Sequence, residues 1–364
     1  MKRFFRIYIV PGAIIQSVMV GGGYGTGREI VEYFSGHGAL GGILAIGVAF
    51  VLLAAVTSVT FEFARTFRAF DYRLFFKTLL GPAWLAFEVL IILLFLLILA
   101  VLASAAGNIF LDAFGLPYGA GLLTMLAVIG VLTFFGRQLI TAALSFWSVV
   151  LYAVLIVFLV AVFSSSQFSL AGHFSEAGDF GSVAGWVRSG VQYTSYNIAV
   201  IPLLLYVARD FQCRKEAIGS GVMASIIALL PALMFHIAFV AASPEVLSEA
   251  LPVFWMIDKM GLGALLLVYS VMLFGTFIET GAGILQGINE RIDGYLEETG
   301  SSRLSPPSRA GIAVVAILAS AGLSLIGITE LIARGYGTMA WGFLLVYVIP
   351  LVTIGVYRLS GRNT

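Results

Sequence analysis

A glycine-rich interruption lies in the middle of the first long apolar segment of this chain. Residues 21–29 read Gly-Gly-Gly-Tyr-Gly-Thr-Gly-Arg-Glu, so five glycines precede a charged pair. Within a bilayer, unwound backbone is tolerated only where protein buries it or where it lines a water-filled cavity, because unpaired amides in hydrocarbon are costly. Discontinuous helices of this kind are typical of the binding sites of secondary transporters. We therefore expect a ligand site at this interruption.

The composition places the chain in a lipid bilayer. Of its 364 residues, 60% are hydrophobic and 11% are charged, and the mean hydropathy is +1.04. Soluble proteins carry about 25% charged residues, so a water-soluble globular fold is excluded. The net charge of +1, without a basic cluster, indicates no nucleic-acid partner. One cysteine and three histidines without metal-ligand spacing argue against a metal or thiol enzyme, and no cofactor is expected.

Apolar stretches of about 20 residues, the length that crosses a bilayer, occur ten times along the chain. With the N-terminus in the cytoplasm, every Lys and Arg except Arg28, Arg188, Lys259 and Arg334 falls on the cytoplasmic side. Both termini are therefore predicted to be cytoplasmic, in a multi-pass protein of the bacterial inner membrane. The predicted spans are 5–35, 38–63, 83–112, 117–135, 139–164, 184–209, 213–242, 262–289, 308–328 and 333–357.

A polar connection divides the chain into two halves of five spans each, residues 1–165 and 184–358. Because five is an odd number, the two halves must have opposite orientations in the membrane. The first span of each half is interrupted, by the glycine-rich stretch in span 1 and by the polar stretch 190–197 in span 6. Interruptions at corresponding positions indicate inverted repeats. The predicted fold is an all-α integral membrane protein, a single domain built as a 5+5 inverted repeat with spans 1 and 6 discontinuous.

The connection between spans 7 and 8 carries the signals of a helix start. Ser243 matches an N-cap, Pro244 a first-turn proline and Glu245 an acid favoured by the helix dipole. These residues predict an external amphipathic helix over 244–259, which would lie over the entrance as a lid.

The interruption in span 1 offers two kinds of ligand group. The half-helix that follows presents free amides, which attract an anionic group, whereas the half-helix that precedes ends in free carbonyls, which suit a cation. A flexible kink or close packing of small residues is the alternative interpretation. We predict that the carbonyls of Gly21 and Gly22 face a cation, and that the substrate contacts Gly23, Tyr24, Gly25, Thr26 and Gly27.

An acidic residue, Glu279, lies well inside the apolar run of span 8, with Thr276 and Thr280 beside it. A carboxylate at this depth costs about 2.5–3.5 kcal/mol on insertion scales, so it is a functional candidate. Ionised, it could ligate Na⁺ together with the two hydroxyls, because a hard cation prefers oxygen ligands. Alternatively it carries a proton, because burial disfavours the charged form of a carboxyl group. A structural contact with Arg28 or with a backbone amide is the third interpretation.

Charged residues at the outer ends of spans 1 and 10 are candidates for a gate. Arg28 and Glu32 are four residues apart and share one helix face, whereas Glu29 points elsewhere. Charge pairs that open and close an outer vestibule and solvated, merely stabilising salt bridges both fit this pattern. The candidate gating residues are Arg28, Glu29, Glu32, Glu330 and Arg334.

The stretch from Gly21 to Glu29 resembles the first span of the uncharacterised bacterial membrane-protein family called YkvI, which typically reads Gly-Gly-Gly-Tyr-x-Thr-Gly-Arg-Glu. More distantly, the layout of all ten spans is similar to that of the amino acid-polyamine-organocation superfamily with the leucine-transporter (LeuT) fold. This resemblance implies a substrate between the interruptions of spans 1 and 6, and a cation that bridges spans 1 and 8. The residues it implies, besides those of 21–26, are Gln192, Tyr193, Thr194, Ser195, Tyr196 and Asn197 for the substrate, and Thr276, Glu279 and Thr280 for the cation.

The resemblance leaves the coupling ion open. Sodium-coupled members usually offer small hydroxyl residues in span 8, and Glu279 is a departure from that pattern. The span-five lysine of some proton-coupled members is absent here, because the predicted span 139–164 has no charged residue.

Together these features predict a secondary transporter, not an enzyme, that moves a small amino-acid-like or organic solute by alternating access with Na⁺ or H⁺. One alternative is an ion channel, because Gly-Gly-Tyr-Gly-Thr is similar to a filter of backbone carbonyls. The other is a transporter-like sensor that binds its ligand without flux. The expected partners are a small-molecule substrate and the bilayer, a homo-oligomer stays open, and Na⁺ is the one candidate bound ion.

Overall fold

The computed structural model of the protein describes residues 2–20, 24–135, 150, 153–170 and 182–361. Throughout these ranges the regular structure is helical, and they contain no β-strand. The helices, in chain order, are α1 (Phe5–Met19), α2 (Arg28–Tyr33), α3 (Gly38–Phe67), α4 (Tyr72–Leu80), α5 (Leu85–Phe114), α6 (Tyr118–Phe135), α7 (Ala153–Ser164), α8 (Val183–Asn197), α9 (Arg214–Ala241), α10 (Pro252–Lys259), α11 (Gly263–Glu298), α12 (Pro306–Ser324) and α13 (Ile328–Ser360).

Seven helical stretches of the described chain are long and apolar enough to cross a membrane. Three shorter apolar helices, α1, α6 and α7, fall at the predicted spans 1, 4 and 5. The multi-pass, all-helical architecture is therefore confirmed, and the count of ten spans stays a prediction. Part of the predicted span 139–164 lies outside the described residues.

The helices pack in two groups. In the first, α3 lies along α9 and α8, and α1 lies against α9. In the second, α5 and α6 pack on each other and on both α11 and α12. α13 contacts α8 of the first group and α5 of the second. A site between the two groups is thus enclosed by helices from both halves of the chain.

The predicted lid helix is shorter than expected. The segment 245–259, called the lid segment below, begins with a 3₁₀ turn over Glu245–Ser248, and its α-helix α10 starts only at Pro252. The prediction of one helix over 244–259 is therefore wrong. The reason is the second proline, because a residue that precedes proline is disfavoured in the α region. Leu251 accordingly has φ −124° and ψ 74°.

The two ends of the helix bundle have different coverings. At one end Arg3 pairs with Glu216 at 2.7 Å and Arg6 with Asp210 at 3.1 Å, which joins the start of the chain to the start of α9. At the other end α9 leads into the lid segment. We call these the terminal end and the lid end.

The interruption of the first span is confirmed. The helix α1 ends at Met19 and α2 begins at Arg28. Between them, the N–H of Gly27 donates to the carbonyl of Tyr24 at 2.9 Å, and Gly27 has φ +86°, a conformation that glycine adopts without strain. Residues 21–23 lie outside the described residues.

The predicted interruption of span 6 at 190–197 is wrong, because α8 is a continuous α-helix through Asn197. The chain departs from α geometry later, in a 3₁₀ segment over Ile198–Asp210 that contains Pro202 and a non-helical Leu204. Proline lacks an N–H and its ring clashes with the carbonyl four residues earlier, which here belongs to Ile198. The change of geometry therefore begins where this proline requires it.

The polar residues of 190–197 find partners without unwinding the helix. Thr194 Oγ1 donates to the carbonyl of Ala49 in α3 at 3.1 Å, and Asn197 Nδ2 donates to the carbonyl of Tyr193 at 2.9 Å. Gly190 marks a close helix contact, because a Cβ there would lie 2.5 Å from the carbonyl oxygen of Ala45. Thr194 and Gly190 therefore join α8 to α3, and Asn197 bonds within α8. None of these residues breaks the helix.

We expect Gly190→Ala to lower the free energy of unfolding by about 1–3 kcal/mol, the usual cost of overpacking. The matched control is Gly47→Ala in α3, where an added Cβ meets nothing within 4 Å and the helix gains up to about 1 kcal/mol of propensity. The melting temperature of the detergent-purified protein checks both changes. Equal melting temperatures for the two variants would contradict the close contact.

Candidate functional site

A cavity of about 290 Å³ lies between the two helix groups, beside the interruption of the first span. The end of α1, the middle of α5 and the junction of α8 with its 3₁₀ continuation form its walls, together with α11 and Tyr336 of α13. Its volume is near the lower end of ligand pockets, which span about 300–1,000 Å³, and so suits a small solute. Because Ser17, Leu203 and Gly283 line it, the cavity lies toward the terminal end of the bundle.

Glu29 is a buried carboxylate in the wall of this cavity. It is the second residue of α2 and only 3% exposed. Tyr196 Oη donates to Glu29 Oε2 at 2.7 Å, and the Tyr196 ring stacks on Tyr336, with 4.7 Å between centroids and 25° between planes. The ring of Tyr33 packs against that of Tyr196, with 5.7 Å between the two ring centroids. The structure therefore places Glu29 on the cavity, although the sequence pattern assigned it to the outer gate.

The second acid of the cavity is Glu279 of α11. It lines the cavity together with Thr280, and it has no hydrogen bond or ion pair with any described residue. Thr276 does not join them, because its hydroxyl donates to the carbonyl of Met272 at 2.9 Å within α11. Of the three residues predicted in span 8, two therefore reach the cavity.

Residues 25–27 of the glycine-rich stretch face the lid segment and α11, and none of them lines the cavity. Tyr269 Oη donates to the carbonyl of Gly25 at 2.6 Å, and the N–H of Val253 in the lid segment donates to the carbonyl of Thr26 at 3.3 Å. Gly27 packs so closely on Phe239 that a Cβ would lie 2.5 Å from its ring.

The remaining described residue of this stretch, Tyr24, is not among the residues that line the cavity. Tyr24 is buried with its ring edge-on to Phe235, at 5.7 Å between centroids. The predicted ligand groups of Gly21, Gly22 and Gly23 lie outside the described residues.

Of the residues predicted in span 6, Asn197 lines the cavity. Tyr193 and Ser195 are buried away from it, with hydroxyls that have no hydrogen-bond partner among the described residues. Thr194 is bonded to α3, and Gln192 lies near Gly337 of α13. Tyr196, which lies within the range 192–197 that the resemblance implies, lines the cavity as well, whereas Tyr336 is a functional candidate that the site prediction did not include.

Arg28 fastens the lid segment to α2. Its Nη1 donates to the carbonyls of Leu247 at 2.9 Å and Glu249 at 3.0 Å, and its Nη2 lies 3.3 Å from Glu32 Oε2. The guanidinium is largely buried, and its Nε has no hydrogen-bond partner among the described residues. Arg28 therefore joins α2 to the lid segment through two backbone carbonyls, a contact called the latch below, and its gating role stays a prediction.

The other predicted gating pair is of a different kind. Arg334 and Glu330 pair at 2.7 Å within α13, and the Arg334 side chain is 84% exposed. An exposed pair four residues apart contributes little, about 0.3–0.5 kcal/mol. These two residues are therefore not arranged as a latch.

The charges of the cavity are of one sign. Its described lining contains two carboxyl groups, those of Glu29 and Glu279, and no Lys, Arg or His. In the described part of the chain, no group of three or more His, Cys, Asp or Glu side chains could hold a metal ion. Most of the other lining residues are aliphatic or aromatic, with Leu94, Phe95 and Ile284 among them, and the neutral polar ones are Ser17, Asn197 and Thr280.

Comparison with known proteins gives relatives and a fold. No family model matches the chain. It is 25% identical over 297 residues to the uncharacterised membrane protein YkvI of Bacillus subtilis, covering 78% of this chain and 80% of that protein. It is 23% identical over 287 residues to the uncharacterised protein YyaD of the same organism, with 78% and 80% covered.

Among solved structures, a mutant of the manganese transporter of Eremococcus coleocola superposes with a TM-score of 0.56 and 12% identity, covering 95% of this chain and 78% of that one. The same transporter in complex with an aromatic bis-isothiourea compound gives 0.55, also at 12% identity, with 94% and 77% covered. The chain therefore has a membrane transporter fold. One of the two sequence relatives, YkvI, is named a membrane protein, in agreement with the seven apolar helical stretches of this chain.

Proposed function

We propose that the protein is a secondary transporter, coupled to Na⁺ or H⁺, that moves a small amino-acid-like or organic solute across the bacterial inner membrane by alternating access. The observation that carries this proposal is the cavity between the interrupted first span and α11, where two acidic side chains from different helices meet in mostly apolar walls. Intramembrane acids that face a cavity are typical of substrate and ion pathways.

The contacts at the two ends of the bundle support alternating access. At the lid end, hydrogen bonds join Arg28 and Thr26 to the lid segment, and another joins Gly25 to α11. The cavity lies on the opposite, terminal side of these contacts. With the termini in the cytoplasm, as the distribution of Lys and Arg predicts, this conformation faces inward. Release of the lid contacts and closure of the cavity would give the outward conformation.

The helix packing supports the 5+5 inverted repeat with a LeuT-like arrangement. Spans 1 and 2 pack with spans 6 and 7 in one group, and spans 3 and 4 pack with spans 8 and 9 in the other. Corresponding members of the two halves thus lie in the same group, as an inverted repeat requires.

Glu279 and Thr280 are the proposed coupling residues. Both line the cavity, and their oxygens are the ligand type that Na⁺ prefers. A proton on Glu279 would serve the same purpose, because a half-buried carboxyl group can load and unload with little rearrangement.

Manganese is a second candidate cargo, because the solved structures of similar fold belong to a manganese transporter. The described lining provides two carboxylates and no His or Cys, and most of it is apolar. A hard divalent cation is normally held by about six oxygen ligands. We therefore place Mn²⁺ after an organic solute.

Uptake by proteoliposomes tests the proposal. A panel of amino acids and alkylamines is offered with either a Na⁺ or a pH gradient imposed, and Mn²⁺ is offered in parallel. We expect saturable uptake of an organic solute that collapses when one of the two gradients is dissipated. Conductance that does not saturate would identify a channel, and binding without uptake would identify a sensor. Uptake of Mn²⁺ alone would replace the organic solute with the metal.

A further inference from the structure

We infer that a second cavity, at the terminal end of the bundle, holds an anionic phospholipid from the surrounding bilayer. It has a volume of about 340 Å³ and lies between α3, the start of α9 and the end of α13. The phosphate group would lie at Arg214, and one acyl chain would fill the apolar part of the cavity. This site is separate from the candidate transport site, since the two share no described lining residue.

The cavity changes from polar to apolar along its length. At the terminal end, each helix contributes a polar or charged lining residue: Glu62 in α3, Arg214 in α9 and Ser360 in α13. One or two turns deeper, the same three helices line the cavity with Ala54, Val222 and Val356. A phospholipid has the same order of groups, a charged head followed by hydrocarbon. The cavity therefore matches a lipid of the leaflet at the terminal end.

The length of the apolar part agrees with the depth of one leaflet. Ala54 and Glu62 are eight residues apart, which is about 12 Å along a helix. The hydrocarbon core of a bilayer is about 30 Å thick, so each leaflet contributes about 15 Å. Ile218 and Val356 in the wall are 37% and 40% exposed, so the cavity reaches the outer surface of the bundle. An acyl chain can therefore enter from the side.

Arg214 supplies the charge that selects the lipid head. The other charged lining residue, Glu62, has both of its oxygens bonded by Arg65, at 2.8 Å to Oε2 and 2.7 Å to Oε1. Its negative charge is therefore compensated within α3. Arg214 is exposed and has no hydrogen bond or ion pair with any described residue. The described lining thus carries one uncompensated charge, and that charge is positive.

The acids that flank Arg214 in the chain have other partners. Asp210 pairs with Arg6 at 3.1 Å, and Glu216 pairs with Arg3 at 2.7 Å. The guanidinium of Arg214 is therefore available to an anion from outside the chain, and its planar fork of donors matches phosphate oxygens. With the termini in the cytoplasm, the cavity lies in the inner leaflet, where basic pockets between helices typically bind anionic lipid heads.

Native mass spectrometry of the purified full-length protein tests this assignment with two lipids of identical acyl chains, phosphatidylglycerol and phosphatidylcholine. We expect the first phosphatidylglycerol to bind about fivefold or more tightly than the first phosphatidylcholine, the effect of one basic residue near the bilayer surface. Arg214→Gln should reduce this preference to about one. The matched control is Lys215→Gln, because Lys215 is the next residue of α9 and is also exposed but does not line the cavity. Lys215→Gln should keep the preference of the wild type.

A second pair of variants tests the acyl part of the cavity. Ala55 of α3 lines the cavity and is exposed, so Ala55→Phe places a ring in the space without disturbing a buried contact. We expect this change to raise the dissociation constants of both lipids several-fold. Val51 lies one turn away on the same helix, is 66% exposed and does not line the cavity. Val51→Phe should leave both constants unchanged.

The results separate a lipid site from other occupants. Equal binding of the two lipids by the wild type, an undiminished preference in Arg214→Gln, or an equal loss in Lys215→Gln would overturn the inference. Displacement of the bound lipid by glycerophosphate, which has the head group without chains, would overturn it as well, because the site would then be one for soluble anions. Wild-type affinity of Ala55→Phe for both lipids would have the same consequence, because the lipid would lie elsewhere. None of these measurements depends on transport.

Discussion

Replacing Glu279 with Gln should abolish the dependence of solute binding on the coupling ion. In the wild type, we expect Na⁺ or H⁺ to change the affinity for the solute by about 5- to 150-fold, the usual range of a coupling free energy. Gln has almost the shape of Glu, but it carries no negative charge for Na⁺ and exchanges no proton. The factor by which the ion changes the affinity for the solute should therefore fall to about one. The measurement is the dissociation constant of the solute that the proteoliposome panel identifies, with Na⁺ replaced by K⁺, and at acidic and alkaline pH.

Glu290→Gln is the matched control for this change. Glu290 lies on the same helix, three turns further toward the terminal end, and is exposed. The Glu290→Gln variant should keep the full dependence of solute binding on the coupling ion. If Glu279→Gln retains the full dependence, Glu279 is not the coupling residue, whatever the protein transports.

The second large effect concerns the latch at the lid end. We expect Arg28→Gln to accelerate amide exchange in the lid segment by about tenfold or more, because two charge-assisted hydrogen bonds are lost at about 1.5–3 kcal/mol each. The carbonyls of Leu247 and Glu249 then lose the donor that joins them to α2. Hydrogen exchange followed by mass spectrometry measures the effect on residues 245–259.

Arg334→Gln provides the comparison. Arg334 also pairs with a glutamate four residues away, at 2.7 Å, but it is 84% exposed and contacts no lid carbonyl. The lid segment should exchange at the wild-type rate in this variant. Equal acceleration by both variants would show that the effect is not specific to the Arg28 contacts. If Arg28→Gln does not accelerate exchange, these hydrogen bonds do not hold the lid segment in place.

The sequence was sufficient to locate the first interruption and the acid of α11. Five glycines before Arg28 can be explained neither by helix propensity nor by an apolar face, so their position alone predicts the end of α1 and the start of α2. Glu279 was found for a similar reason, because a single carboxyl group in a long apolar run has a large cost that only a function or a partner offsets.

The second interruption was misplaced because polar residues do not by themselves unwind a helix. Thr194 and Asn197 have hydroxyl and amide groups that backbone carbonyls satisfy, one across the helix interface and one within the helix. Pro202, a stronger signal, lies five residues beyond the end of the predicted stretch 190–197, and the geometry changes at Ile198, whose carbonyl its ring would clash with in an α-helix. The proline, which lacks an N–H, therefore changes the helix geometry, whereas the hydrogen-bonding side chains of 190–197 do not.

Glu29 could not be assigned from the sequence, because its role depends on a residue far away in the chain. Its neighbours Arg28 and Glu32 suggested a surface charge network. The hydrogen bond from Tyr196 and the stack on Tyr336 arise only when α2, α8 and α13 meet. Contacts between residues so far apart in the chain produce no periodic pattern or fixed spacing in a single sequence.

Arg28 and Glu29 are neighbours on α2, a helix of six residues. Successive positions on a helix differ by about 100°, so one side chain reaches the lid segment while the next reaches the cavity. One short helix therefore carries both contacts, so a displacement of α2 would alter the lid contact and the cavity wall together. Since linkage between two binding events is reciprocal, the factor by which a bound solute changes the stability of the lid contact equals the factor by which release of that contact changes the affinity for the solute.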